Sequence, residues 1–335
     1  MPTERDSLAS SATSRVLTPR MLAGSILIPF LVTILTAAAP AIAQPIRLIH
    51  RWSPGEPTRY ELTESMRQEI TGPNSASLDW KRNITYTERV VEETERGIRI
   101  ERTFDRVTVA VARDGEPPEI YDSVRPDPQA TASMLIAPFI GFHSKSVRLT
   151  INDDGTVTDI EGASEVLDAV FSPFEGSQLL GGGVSGARQS TDRDRRIARQ
   201  IEQALRMIPG RAVRPGERWP VEIDHESPLS GDLSSDLVAM LNGRDRKTGH
   251  ADISLTGDLS LAERDPEAPS LTGLLGITLE SGAIKGRIRF DDEAGRTETR
   301  TMRLTTVWTV GGALSAGDES MKQHIVQKAE VKRIP

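Results

Sequence analysis

The chain contains no cysteine among its 335 residues. This absence excludes disulfides, thiolate metal sites, cysteine nucleophiles and an N-terminal cysteine that could carry a lipid. Aromatic residues are also scarce, at 4% of the sequence, which disfavours stacking platforms for bases or sugars. A domain of this composition must be held together by its hydrophobic core, without covalent cross-links.

The chain has fewer positive than negative residues, with 41 Lys and Arg and 48 Asp and Glu, which gives a formal net charge of −7. A negative balance of this size argues against a protein that coats polyanions. We therefore predict no nucleic-acid partner.

The one long hydrophobic run, Met21–Ala39, lies near the N-terminus and is followed by Ala41 and Ala43. Small residues at these two positions are typical of a signal-peptidase site, so we predict a signal peptide over residues 1–43 and a periplasmic or secreted mature protein. The alternative is an uncleaved membrane anchor, because a run of this length can span a bilayer. Cleavage would change the formal charge from −7 to −8, since the leader holds three Arg and two acidic residues.

The remaining residues, 44–335, are predicted to form a single β-rich domain in three parts. The first part, 44–128, and the third, 211–335, contain long runs with apolar residues at alternate positions, which indicate antiparallel strands with one wet face. The runs are 59–70, 77–93, 97–112, 218–226, 249–263, 273–310 and 323–334. The run 273–310 is predicted to be several strands connected at Ser281-Gly282 and at Glu293-Ala294-Gly295.

The middle part, 129–210, breaks this alternation. It holds a hairpin over Ser146–Gly162 with its turn at Asp154-Gly155, a short helix before Pro173, and a capped amphipathic helix over Thr191–Ile208. The predicted fold is α+β: a large curved antiparallel sheet, or half-barrel, with two or three helices from the middle of the chain on its concave face.

The tripeptide Pro-Gly-Glu occurs at residues 54–56 and again at 215–217, each time before an alternating run. We interpret the two copies as corresponding entries into the two β parts. These turns, together with "VRLTINDDGTVTDIEG" and "GRIRFDDEAGR", resemble an exported family of unknown function common in planctomycetes. The resemblance implies a half-barrel similar to that of bacterial envelope lipoprotein and lipid carriers, and it implies no site residues.

No catalytic or metal-binding pattern is present, and we predict no cofactor and no enzyme activity. The histidines His50, His143, His225, His250 and His324 lack metal-ligand spacing. The acidic stretch 152–159 does not match a calcium loop, because its glycine stands at the wrong position. The glycine-rich stretch 181–186 lacks both a phosphate-loop Lys and the Gly-x-Ser-x-Gly spacing of an esterase.

Two stretches are candidates for binding. The first is a group of large apolar residues, which contains four of the six phenylalanines beyond residue 43. These residues either fill the core or line a cavity for an apolar or lipid-like molecule. Its members are Met134, Leu135, Phe139, Phe142, Phe171 and Phe174. The second is the Arg-rich stretch Arg193–Arg214, which is either a solvated face or a contact for an acidic protein or membrane surface.

Three functions remain open from the sequence. The protein is expected to be a non-enzymatic envelope protein that binds an apolar ligand on its concave face. The alternatives are an interaction or scaffold module with a self-filled core, and a hydrolase whose active site is not recognisable.

Overall fold

The computed structural model describes most of the chain after residue 43, and all of these residues belong to one compact unit, Ala43–Pro335. The described ranges are 44–55, 57–72, 75–95, 97–127, 136, 139–152, 155–163, 166, 198–199, 201–225, 233–261, 276–311 and 320–335. Within them, no helix has both the length and the apolar character needed to cross a membrane.

The described residues form fourteen β-strands. They are β1 (Ile46–Leu48), β2 (Thr58–Thr71), β3 (Ala76–Thr94), β4 (Gly97–Arg113), β5 (Glu119–Asp122), β6 (Ser146–Asn152), β7 (Val157–Glu161), β8 (Arg211–Val213), β9 (Arg218–His225), β10 (Leu233–Arg244), β11 (Ala251–Leu261), β12 (Ile277–Asp291), β13 (Arg296–Val310) and β14 (Met321–Ile334). A short helix, α1, covers residues 198–199 and 201–206.

Twelve strands form one open antiparallel sheet in the order β7-β6-β4-β3-β2-β14-β13-β12-β11-β10-β9, with β5 also paired to β4. Neighbours in each half of this order are consecutive or nearly consecutive in sequence, as in a meander. The two halves meet where the last strand, β14, pairs with β2 over Arg59–Thr71. The remaining two strands, β1 and β8, form a separate two-stranded sheet.

The sheet has two chemically different faces because successive side chains of a strand point to opposite sides. We call one the covered face: it carries buried side chains such as Ile84, Val107 and Ile253. We call the other the open face: it carries exposed polar side chains such as Lys81 and Lys328. Alternation of this kind is the pattern expected of an antiparallel sheet with one solvated face.

Two segments pack on the covered face. Ile46, Leu48 and Val213 of the β1–β8 sheet join the core cluster of β9–β13. On the other half of the sheet, Ala198, Ile201 and Leu205 of α1 pack against a cluster formed by β4, β6 and β7. The strands that precede the two Pro-Gly-Glu turns therefore pair with each other, with Ile46 opposite Val213.

The segment from α1 to β8 is tied to both edges of the large sheet. The Val157 N–H of edge strand β7 donates to the Glu202 carboxylate at 2.8 Å. The Trp219 indole N–H of the opposite edge strand β9 donates to the Met207 carbonyl at 3.2 Å. A flat sheet of eleven strands would separate its edges by about 48 Å, whereas five helical residues span only about 8 Å. The sheet must therefore curve strongly around its covered face.

The α+β prediction with two or three helices is not supported, because the described residues are mostly β and their helix is limited to α1 and to residues 163 and 166. The predicted helix before Pro173, and most of the one over Thr191–Ile208, lie outside the described residues. Large antiparallel sheets need no helical partner where a second small sheet and loops cover the apolar face.

One strand connection was predicted wrongly and one strand was missed. Ser281-Gly282 is not a turn: β12 runs through it with a register shift between Leu279 and Ser281. The sequence pattern also did not reveal β10, because "LVAML" lacks strict alternation and consists largely of residues that favour helices. The strands β2, β3 and β4 and the Glu293-Ala294-Gly295 turn are confirmed.

His50 links the segment after β1 to the sheet and to α1. Its ring stacks on Trp52 at 5.9 Å and meets the edge of Phe290 at 5.5 Å, and it hydrogen-bonds to the Leu205 backbone. The Nε2 atom is buried without a hydrogen-bond partner. Burial, together with the positive charge of Arg300, lowers the pKa of His50 to about 4, although the hydrogen bond to the Leu205 backbone opposes the shift.

This shift makes the stability of the protein depend on pH. An unfolded histidine binds a proton near pH 6.5, whereas folded His50 does so only near pH 4; the stabilisation is complete above pH 6.5 and is lost as the pH falls towards 4. We expect the free energy of unfolding to fall by about 2–3 kcal/mol between pH 7 and pH 4. Urea titrations of wild type and His50→Phe should show the difference.

The substitution of the exposed His143 by Phe is the control, and it should leave the wild-type pH dependence in place. Identical pH slopes for wild type and His50→Phe would contradict the role assigned to His50.

Candidate functional site

The predicted aromatic group is described in part, and its described members lie on the covered face. The ring centroid of Phe139 is 5.9 Å from that of Trp80 and 6.1 Å from that of Phe142. The ring centroids of Phe142 and Phe104 are 5.3 Å apart. Both phenylalanines are half-buried and pack against the cluster that contains Ile84 and Val107. The other four members, Met134, Leu135, Phe171 and Phe174, lie outside the described residues.

A charged cluster occupies the centre of the covered face. Arg102 of β4 donates to the Glu88 carboxylate of β3 at 2.9 Å, and its guanidinium lies 4.8 Å from the ring centre of Tyr86. Tyr86 stacks on Tyr60 of β2 at 5.4 Å. Burial raises the pKa of both tyrosines and lowers that of nearby Arg300. The phenols therefore remain neutral at neutral pH, and the ion pair between Arg102 and Glu88 lies beside them.

On the open face, the described residues form a depression of about 490 Å³ over β2, β3, β4, β13 and β14. Small and apolar residues make up much of its lining, and cationic residues stand around it. The lining residues are Ser65, Met66, Arg67, Asp79, Trp80, Lys81, Ala110, Ala112, Pro118, Arg303, Val326 and Lys328.

A second depression of about 280 Å³ adjoins the first and shares Ser65, Arg303 and Lys328 with it. Lys285 and Glu330 complete its charged lining, and Thr63, Thr301, Met302 and Ala329 complete the rest. We call the two depressions together the open-face groove. The groove thus combines apolar side chains such as Met66 and Val326 with cationic side chains such as Arg303 and Lys328.

The other candidates from the sequence are described only in part. Within the described part of the chain, no group of three or more His, Asp or Glu residues could hold a metal ion. Of the Arg-rich stretch, Arg206 pairs with Glu202 at 3.8 Å and Arg211 with Glu217 at 2.5 Å. Arg193, Arg195 and Arg196 lie outside the described residues.

The fold defines this molecule as a mostly β protein built on one open, strongly curved antiparallel sheet. A family model matches residues 96–296, and the chain belongs to DUF6263, a family of unknown function. The expectation of a family without assigned function is thereby confirmed. No curated protein is a significant sequence match to this chain.

Among the solved structures that resemble this chain, two illustrate the similarity, both at low sequence identity. One is a lipovitellin chain described under lipid–protein interactions, with a TM-score of 0.46 and 9% identity, over 85% of this chain and 26% of that one. The present chain thus spans about a quarter of the lipovitellin chain. The other is DynF from the dynemicin biosynthesis pathway of Micromonospora chersina, with a TM-score of 0.21, 6% identity and 92% coverage of both chains.

Truncation of Phe142 tests whether the covered-face aromatics fill a core. We expect Phe142→Ala to lower the free energy of unfolding by about 2–3 kcal/mol, because the ring loses its contacts with Phe104 and Phe139. Chemical denaturation measures the change. Ile120→Ala, at a side chain that is 61% exposed, is the control and should cost less than about 0.5 kcal/mol. A loss below about 1 kcal/mol for Phe142→Ala would instead indicate an open cavity beside the ring.

Proposed function

We propose that the protein is an exported, non-enzymatic binding protein that holds an apolar, lipid-like molecule in the open-face groove. The leader with Ala41 and Ala43 supports export. The larger depression, at about 490 Å³, has the size of small-molecule sites in proteins, which span about 300–1,000 Å³.

The observation that carries this proposal is an apolar strip on a face that should be polar. Ala110 and Ala112 of β4 lie on the open face, and Ala110 is directly opposite Ile120 of β5. Ile120 is 61% exposed. An exposed apolar side chain beside a depression lined by small apolar residues is typical of a ligand or partner site.

The open-face groove is favoured over the covered face as the ligand position. Phe139 and Phe142, which the sequence suggested as cavity lining, are in contact with Trp80 and Phe104 and so occupy space as packed side chains do. The alternative function is that of an interaction or scaffold module without a ligand, and the experiment below distinguishes it from ligand binding. The hydrolase alternative receives no support from the groove, whose lining holds no histidine.

Filling the groove should remove the ligand without unfolding the protein. We expect Ala110→Trp to abolish co-purification of an apolar molecule, because the indole would occupy the space beside Lys81 and Ile120. Native mass spectrometry followed by solvent extraction of the gently purified protein measures the bound molecule. The change in unfolding free energy should stay below about 1 kcal/mol, since the site faces solvent.

Val238→Trp provides the matched control, because Val238 is an exposed open-face residue of β10 that lies outside the groove. This variant should retain the ligand at the wild-type level. Absence of any extractable apolar molecule from the wild type, together with unchanged behaviour of Ala110→Trp, would favour the scaffold function instead.

A further inference from the structure

Four cationic side chains form a row across the open face. The strand register places Lys285 opposite Arg303, Arg303 opposite Lys328, Lys328 opposite Ser65, and Ser65 opposite Lys81. We call Lys285, Arg303, Lys328 and Lys81 the cation row. It crosses five neighbouring strands, β12, β13, β14, β2 and β3, over about 19 Å. All four side chains are exposed.

The cation row contrasts with the ion pairs found elsewhere on this face. Several other open-face cations are paired across strands: Arg89 with Glu101 at 2.8 Å, Arg148 with Glu101 at 3.1 Å and Arg287 with Asp252 at 2.5 Å. Over the described ranges of the chain, none of the four row residues has a carboxylate oxygen within 4.0 Å. Like charges directly opposite each other in a sheet are destabilising. A stretch of three adjacent cations is therefore a feature that folding does not explain.

The two depressions of the groove share the cations Arg303 and Lys328. The smaller one adds Lys285 and the carboxylate of Glu330. The larger one continues from Arg303 and Lys328 past Lys81, Asp79 and Arg67 towards Ala110, Ala112 and Pro118. Arg67 is paired with Glu69 at 2.8 Å. The end of the groove over β12, β13 and β14 therefore holds three cations, whereas the end towards β4 and β5 holds small apolar residues.

From this arrangement we infer that the ligand is an anionic amphiphile. Its oxyanion headgroup lies in the smaller depression on Lys285, Arg303 and Lys328, and its apolar chain extends along the larger depression towards β4 and β5. Charge-assisted hydrogen bonds from Arg and Lys to an oxyanion are short and strong. They also relieve the repulsion within the row. This inference rests on the proposed function and adds the headgroup chemistry to it.

Calorimetric titration with two single-chain amphiphiles tests the inference. Dodecyl phosphate carries the oxyanion, whereas dodecyl maltoside has the same chain with an uncharged headgroup; both are used below their micelle concentrations. We expect wild type to bind dodecyl phosphate at least ~10-fold more tightly than dodecyl maltoside. Raising the salt concentration should weaken the binding of dodecyl phosphate but not that of dodecyl maltoside, because salt screens exposed charges.

The double variant Arg303→Gln/Lys328→Gln should lose the ~10-fold preference for dodecyl phosphate over dodecyl maltoside. Lys332→Gln is the matched control, because Lys332 is an exposed open-face residue of the same strand β14 that lines neither depression. It should retain the preference. Circular dichroism of each variant checks that the sheet is intact.

Failure of the inference and failure of the proposed function are distinguishable. Equal binding of the two amphiphiles by wild type, or an undiminished preference in the double variant, would overturn the headgroup inference and leave the proposed function standing. Binding of inorganic phosphate as tightly as dodecyl phosphate, with no binding of dodecyl maltoside, would overturn both, because the apolar chain would then contribute nothing.

Discussion

The pairing of β14 with β2 is the constraint on which the rest of the structure depends. Thirteen residue pairs, from Thr71 with Lys322 to Arg59 with Ile334, join the first long strand to the last. Without them the protein would be two meanders with additional unpaired edges, which sheets normally avoid exposing. We call the β14–β2 pairing the seam of the sheet. The open-face groove crosses this seam, because Arg303 and Lys328 come from β13 and β14, whereas Ser65 and Lys81 come from β2 and β3. The groove therefore exists only when the two ends of the chain have come together.

The seam also explains where the protein buries its charges. Around it the covered face carries polar groups, among them Glu88, Arg102, Tyr60 and Arg300, whereas the outer strands bury side chains such as Leu241 and Ile253. A buried ion-pair network is costly to desolvate, but removal of one partner costs more. On the covered face, Arg102 is paired in this way with Glu88 at 2.9 Å. The cation row on the opposite face has no such partner among the described residues.

Curvature follows from a second set of constraints, which act at the edges of the sheet. Glu202 holds edge strand β7 and Met207 holds edge strand β9, although the two edges are the most distant strands in the sheet order. The β1–β8 pair and His50 add packing on the same side. A short segment near α1 thereby determines how far the large sheet bends. The sheet remains open, because β7 and β9 do not pair with each other.

The sequence alone determined the strands whose alternation is strict, namely β2, β3 and β4, and the turn at Glu293–Gly295, because these signals are local. It also indicated a large antiparallel sheet and a chain without disulfides. It did not reveal β10, whose "LVAML" segment looks helical when read without its neighbours, and it favoured more helix than the described residues contain. Only the tertiary structure decided which charges meet. Lys285 and Lys81 lie about 200 positions apart in sequence, and no local pattern relates them. The cation row exists because the register of four successive strand pairings places these residues at one level of the sheet, and register is a property of the assembled sheet.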